Sequence, residues 1–191
     1  MTRIKICGLR RQEDAIAAIE CGAHALGFVR EPSSPRCISE TDYHWIANLP
    51  PVVLRVGVYG PYRAEPDLPV HAIQSIDDWG PSRIIALRLD ANSQPGSIEI
   101  GACGAIVLDA RSDAGYGGTG ERIDLDLAKA WVEFLKVPVY LAGGLKPENV
   151  ADAIRYVRPF GVDVSSGVES SPGIKCAEKI DQFSRAVRST D

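Results

Sequence analysis

No run of apolar residues in this chain approaches the ~18 that a membrane-spanning helix needs. Lysines and arginines form no stripe; Arg10-Arg11 is an isolated pair, and the formal net charge is −4. Nucleic-acid binding is therefore not expected, and neither is a membrane partner. The five cysteines, at 7, 21, 37, 103 and 176, contain no CxxC pair. Neither a disulfide frame nor a zinc ribbon is expected, and the simple reading is a reducing cytoplasm. His24, His44 and His71 share no metal-ligand spacing, so no metal is expected. The first strand is expected to begin at Arg3, so no leader peptide is expected. No internal repeat or low-complexity segment stands out.

What is present is an ordinary globular composition. With 45% apolar and 24% charged residues among 191, residues 1–191 read as one domain around one core. Any anionic substrate of so acidic a chain must be held locally, by backbone amides and a few arginines.

Short apolar runs alternate with helical patterns. Strands are expected at 4–7, 25–29, 52–59, 72–76, 84–89, 105–109, 137–142 and 162–165. Many are apolar at successive positions, as parallel strands buried on both faces are. One helix is expected over 12–21, closed by Gly22. A second carries the stripe Leu127, Trp131, Phe134 and Leu135. Pro147 fits the first turn of a third, with Val150, Ala153, Ile154 and Val157 on its inner side. Ala177, Ile180, Phe183 and Val187 stripe the last. Eight strands in one domain imply an α/β fold closed as a (β/α)8 TIM barrel, with an open doubly wound sheet as the alternative.

The middle of the chain breaks the pattern. Residues 60–70 contain Pro61, Pro66 and Pro69, residues 77–83 are fewer still, and residues 90–103 include Pro95 and Gly96. The outer helices after strands 3, 4 and 5 are expected to be shortened or missing.

Two residues stand where such folds place their chemistry, at the carboxyl ends of strands. Cys7 ends the run Arg3-Ile4-Lys5-Ile6-Cys7 and precedes Gly8. A thiol of lowered pKa makes a base or nucleophile; a lone cysteine is also commonly a small buried hydrophobe. Asp109 ends the run from Ala105. Acid work at neutral pH would need burial or a neighbouring charge to raise its pKa; capping the next loop is the alternative role.

Leu141-Ala142-Gly143-Gly144-Leu145 and Asp163-Val164-Ser165-Ser166-Gly167 follow the last two strands. Small residues let amides approach a phosphate closely, and barrels often build a phosphate cradle there. Gly143, Gly144, Ser165, Ser166 and Gly167 are the candidates, against the plainer reading of two tight turns. Arg36, in Ser34-Pro35-Arg36, has the planar fork that clamps a carboxylate, or is a solvated loop arginine. Gly115-Tyr116-Gly117-Gly118-Thr119-Gly120 reads as a mobile lid or a flexible linker.

Together these segments resemble the phosphoribosylanthranilate isomerase family of tryptophan biosynthesis. The matching pieces are Lys5-Ile6-Cys7-Gly8-Leu9, Leu26-Gly27-Phe28-Val29, Ser34-Pro35-Arg36 and Arg55-Val56-Gly57-Val58-Tyr59. Leu108-Asp109, the 115–120 and 142–150 segments, 163–169 and Ser171-Pro172-Gly173 follow in the family's order. The KICG opening and the DVSSGVE segment are the specific ones. The resemblance implies a cofactor-free isomerase of a small phosphosugar, acting as a monomer or homodimer by an Amadori rearrangement of N-(5-phosphoribosyl)anthranilate. It implies that Asp109 protonates the ring oxygen and Cys7 removes the proton from C2. Arg36 would hold the anthranilate carboxylate, Asp163 would lie near the amino group, and Gly144, Ser165, Ser166 and Gly167 would hold the phosphate.

The chain departs from the family at strand four, where Gln74-Ser75-Ile76-Asp77 replaces a QLHG segment. A phosphate-binding barrel without turnover is a second reading. A related histidine-pathway isomerase is a third, against which stands its aspartate at the position of Cys7.

Overall fold

In a computed structural model, the short apolar runs become eight parallel strands that pair in sequence order and close on themselves. Residues 1–38, 43–60, 68–77, 80–110 and 122–191 are described. The strands are β1 (Arg3–Cys7), β2 (Ala25–Val29), β3 (Leu54–Val58), β4 (Ala72–Ser75), β5 (Gly80–Leu89), β6 (Cys103–Ala110), β7 (Val139–Leu141) and β8 (Gly161–Val164). Pairing of β1 with β8, Lys5 opposite Asp163, closes the barrel.

Four helices pack outside: α1 (Gln12–Glu20), α2 (Leu125–Phe134), α3 (Val150–Val157) and α4 (Ala177–Arg188). Each buries one stripe, Val150, Ala153, Ile154 and Val157 on α3, and Ile180, Phe183 and Val187 on α4. Two apolar layers result, because strand side chains alternate. Ile4, Ile6, Leu26, Phe28, Ile85, Ile106 and Leu108 face out against the helices. Ala25, Val56, Ile84, Ala105, Val107 and Tyr140 fill the inside.

Several expected boundaries move. The third strand starts at Leu54, because Pro50-Pro51 turn the chain and leave Val52 87% exposed. Pro147 lies in a turn ahead of α3 rather than in its first turn; both Asn149 and Val150 donate backbone N–H groups to Lys146 O there. Phe134 is not part of the buried stripe of α2. It is 47% exposed and meets Trp131 only edge-on. Two short strands that the pattern did not disclose, β9 (Glu169–Ser171) and β10 (Ile174–Lys175), pair antiparallel after β8.

The described residues contain no helix between β3 and β6. After β5, residues 90–102 cover the barrel as irregular chain instead. Ile98 and Ile100 pack on the core, and the buried Trp131 indole donates to Ser93 O at 2.6 Å. The glycine-rich 115–120 segment lies outside the described residues. No described helix is long and apolar enough to cross a membrane.

Candidate active site

The carboxyl ends of the strands surround one cavity. Cys7, Arg36, Asp109, Gly143, Gly144, Asp163, Ser165 and Ser166 all line it, so parts of the chain distant in sequence meet there. Gly167, the remaining phosphate candidate, is not in its wall. It packs under the neighbouring loop instead, where a Cβ would collide with the Leu145 carbonyl oxygen. Its bareness lets the loops after β7 and β8 close against each other. Asn149 pins the first of these, donating to Gly144 O at 3.0 Å and accepting from Lys146 N at 2.8 Å.

Cys7 is the last residue of β1. Gly8, at φ +77°, turns the chain away, and the backbone N–H groups of Gly8 and Leu9 both donate to Gly27 O. A Cβ on Gly8 would sit 2.6 Å from Arg36 Cδ and 3.0 Å from Ser165 Oγ. The missing side chain thus brings thiol, guanidinium and Ser165 together. Burial pushes the Cys7 thiol up, as does the Asp163 charge, while the Lys5 and Lys175 ammoniums pull it down.

Asp109 faces the same space from β6, opposite Arg88 in the β5–β6 register. Its Oδ1 accepts from Ala110 N at 2.9 Å. Burial, then the nearby Asp163 charge, pushes it up to about 6, against the opposing pull of that N–H, Arg88 and Lys5. A carboxyl group so placed holds a proton far more readily at neutral pH than an exposed aspartate.

Asp163 is buried, and its Oδ2 accepts from Lys5 Nζ at 2.8 Å. Its Oδ1 has no hydrogen-bond partner among the described residues, nor has Gln74 Oε1, another buried atom of a cavity-lining residue. Buried acceptors are nearly always satisfied, so two bare ones in a cavity wall mark where a ligand's N–H or O–H groups fit.

Arg36 is not a solvated loop residue. Its Nε and Nη2 donate to Glu169 Oε1 and Oε2 at 2.9 and 2.8 Å, inside the protein. Lys175 completes the cluster, donating to Glu169 Oε1 at 2.7 Å and to Ser165 O at 3.1 Å. Burial acts against the Glu169 carboxylate, but the two cations overcome it and hold its pKa below the ordinary value.

Lys5, Glu169 and Lys175 escaped sequence reasoning. Lys5 carried a signal, a charge midway along an apolar strand at the spacing of Cys7. Glu169 carried only its place in the DVSSGVE segment. Lys175 carried none.

A family model described as N-(5'phosphoribosyl)anthranilate (PRA) isomerase matches residues 80–186. An N-(5'-phosphoribosyl)anthranilate isomerase of Chlorobaculum parvum is 40% identical over 215 residues, covering 100% of this chain and 97% of its own. The crystal structure of phosphoribosyl anthranilate isomerase from Thermus thermophilus is similar at a TM-score of 0.86 and 32% identity, all of both chains covered. A phosphoribosyl anthranilate isomerase in complex with reduced 1-(o-carboxyphenylamino)-1-deoxyribulose 5-phosphate matches at 0.77 and 32%, covering 99% of this chain and 100% of that one.

Proposed function

The chain belongs to the N-(5'-phosphoribosyl)anthranilate isomerase family, and from that premise we propose that Cys7 and Asp109 divide the proton transfers of its reaction. The enzyme isomerises N-(5'-phosphoribosyl)anthranilate to the 1-deoxyribulose 5-phosphate derivative in tryptophan biosynthesis.

The Amadori rearrangement needs an acid and a base on one sugar. Asp109 donates its proton to the furanose oxygen as the bond from that oxygen to C1 breaks, leaving a C1–nitrogen imine. Cys7, as thiolate, removes the proton from C2, and the electron pair moves to make the enolamine. The enolamine tautomerises to the ketone as C1 gains a proton and the 2-hydroxyl loses one, and Cys7 gives its proton to water while Asp109 takes one from water, which restores both residues. Transfers of this kind contribute ~10²–10⁴-fold each. No cofactor is called for.

The other residues hold the substrate. The backbone of Gly143 and Gly144 and the Ser165 and Ser166 hydroxyls take the phosphate, with Gly167 shaping the loop behind them. Arg36 offers the substrate carboxylate the Nη1 edge of its fork, the other edge being held by Glu169. Asp163 Oδ1 accepts from the substrate's amino group. The five free cysteines fit a cytoplasmic enzyme. It acts as a monomer or homodimer, which light scattering distinguishes.

The observation that carries this reading is the meeting of Cys7 and Asp109 in one cavity with the two glycine- and serine-rich loops. Its test follows turnover by the fluorescence of the anthranilate group. Cys7→Ala and Asp109→Asn should each lower kcat by orders of magnitude with the fold intact by circular dichroism. Turnover at the wild-type rate in either variant refutes that residue's role.

A further inference from the structure

Lys5 is an anomalous occupant of a barrel interior, a space usually filled by branched apolar side chains. Ile4 and Ile6 face the helices, so Lys5 and Cys7 share the inner side of β1, and Lys5 is only 1% exposed. An ammonium there is strongly unfavourable without partners. Asp163, its register partner on β8, supplies one at 2.8 Å. Cys7 stands two residues along on the same inner face, so the ammonium's charge acts on its sulfur and favours the thiolate.

We propose that Lys5 is a positioning residue for the base: anchored by Asp163 on the same inner face as Cys7, its ammonium supplies the counter-charge when the thiol ionises. This rests on Cys7 being the base. With Cys7 as a thiol, the Lys5–Asp163 pair is neutral. Without Lys5, a thiolate would sit beside the Asp163 carboxylate.

The charges that act on Cys7 are those of Lys5 on its own strand, Asp163 on β8 and Lys175 on β10. Burial works against the Lys5 ammonium, but Asp163 and then Cys7 outweigh it and keep it charged well above the ordinary lysine range. Catalysis needs Cys7 ionised while Asp109 is protonated. Asp109, at about 6, releases its proton before Cys7, whose pKa lies above the ordinary thiol value. The productive form is therefore a minor one. Between the two pKa values its share is constant and shrinks tenfold for every unit by which Cys7 rises. Lys5 narrows that gap.

The test measures Cys7 without turnover. Its alkylation by iodoacetamide is followed across pH, with the Cys7 peptide resolved by mass from those of the other four cysteines. Lys5→Met should raise the alkylation midpoint by one unit or more, and Lys5→Arg, which keeps the charge, by less. The kcat/KM plateau of Lys5→Met should fall tenfold per unit of that rise. Where Lys5→Met does not fold, Lys5→Gln keeps a donor for Asp163, lacks the charge and is read the same way. An unmoved midpoint in a folded, uncharged variant overturns the proposal. So does a moved midpoint with an unchanged plateau while Cys7→Ala is inactive. Wild-type turnover in Cys7→Ala instead overturns the assignment of the base.

Discussion

Gly27 stands directly opposite Cys7 in the β1–β2 register, and a Cβ on it would lie 2.7 Å from the thiol sulfur. The pocket for the sulfur is thus made by a side chain that is absent. The same Cβ would come within 3.1 Å of Cys7 Cα, so the strand itself would have to shift. Gly27→Ala should therefore destabilise the fold by about 1–3 kcal/mol, the usual effect of overpacking. It should also lower kcat at least tenfold, because misplacing a reacting group by a fraction of an ångström is enough to do so. Urea denaturation and steady-state kinetics on the same preparation check both. Wild-type kcat in a folded Gly27→Ala protein would show that the sulfur's position is not set here.

As the proposed acid, Asp109 trades stability for chemistry. Its pKa is raised from 3.8 to about 6 in the folded state, so the native protein binds more protons than the unfolded chain between those values. Stability on this account is full below about pH 4 and declines as pH rises through 6. The difference of about two units corresponds to up to about 3 kcal/mol at neutral pH. Asp109→Asn, isosteric and uncharged, should therefore be more stable than wild type at pH 7.5, while nearly inactive. The gain should shrink on acidification, and the pH at which it begins to fall reports the folded carboxyl's own pKa. Denaturant midpoints measured from pH 4 to 8 on both proteins give that curve. A gain that does not vary with pH would mean that the carboxylate's charge is not its source.

The barrel was legible because its strands are buried on both faces. Parallel strands of that kind read as unbroken apolar runs, and all eight surfaced in order. That no helix follows β5 was legible from Pro95 and Gly96, but not what takes its place. That Trp131 would reach Ser93 from another element is a tertiary fact with no local pattern. Catalytic candidates surfaced where strand-end position and residue type coincided, as at Cys7 and Asp109. The supporting charges did not. Glu169 meets Arg36 across 133 residues of chain, and the β9–β10 hairpin that carries Glu169 and Lys175 is too short to leave a period of its own. Lys5 was readable in principle, since a period of two from Cys7 places it inside.

Trp131 gives a measure of how residues 90–102 hold against the outside of the barrel. The indole is fully buried, and its N–H satisfies Ser93 O. Trp131→Phe keeps an aromatic ring but leaves that carbonyl without its donor and opens a gap beside α2. The lost bond alone is worth about 1–3 kcal/mol, and the lost volume adds to it. For a domain of this size each kcal/mol lowers Tm by about 2–4 °C. Calorimetry should show a drop of several degrees. Hydrogen exchange should quicken first in residues 90–102, and an unaffected segment would indicate that Ile98 and Ile100 anchor it without Trp131.

Glu169 ties Arg36, the proposed carboxylate clamp, to the proposed phosphate loop, because its Oε1 accepts from both Arg36 and Lys175, and Lys175 reaches Ser165. Replacing it with Gln leaves two buried cations facing a neutral amide. Removing one member of a buried ionic cluster typically destabilises by about 3–5 kcal/mol. The sign of the pH dependence follows from the lowered Glu169 pKa. Its stabilisation is complete above the unfolded value of about 4.5 and is lost as pH falls through the lower folded value. Wild type should therefore lose stability on acidification in that range, and Glu169→Gln should lose less, so the two curves converge at low pH. Kinetically, a loosened Arg36 weakens the grip on the substrate's carboxylate before and during reaction alike. KM should rise about tenfold or more, with a smaller change in kcat. Glu169→Asp keeps the charge at shorter reach and should recover part of the KM. A Glu169→Gln enzyme with wild-type KM would mean that Arg36 needs no partner to meet its ligand, and that the buried cluster serves the fold alone.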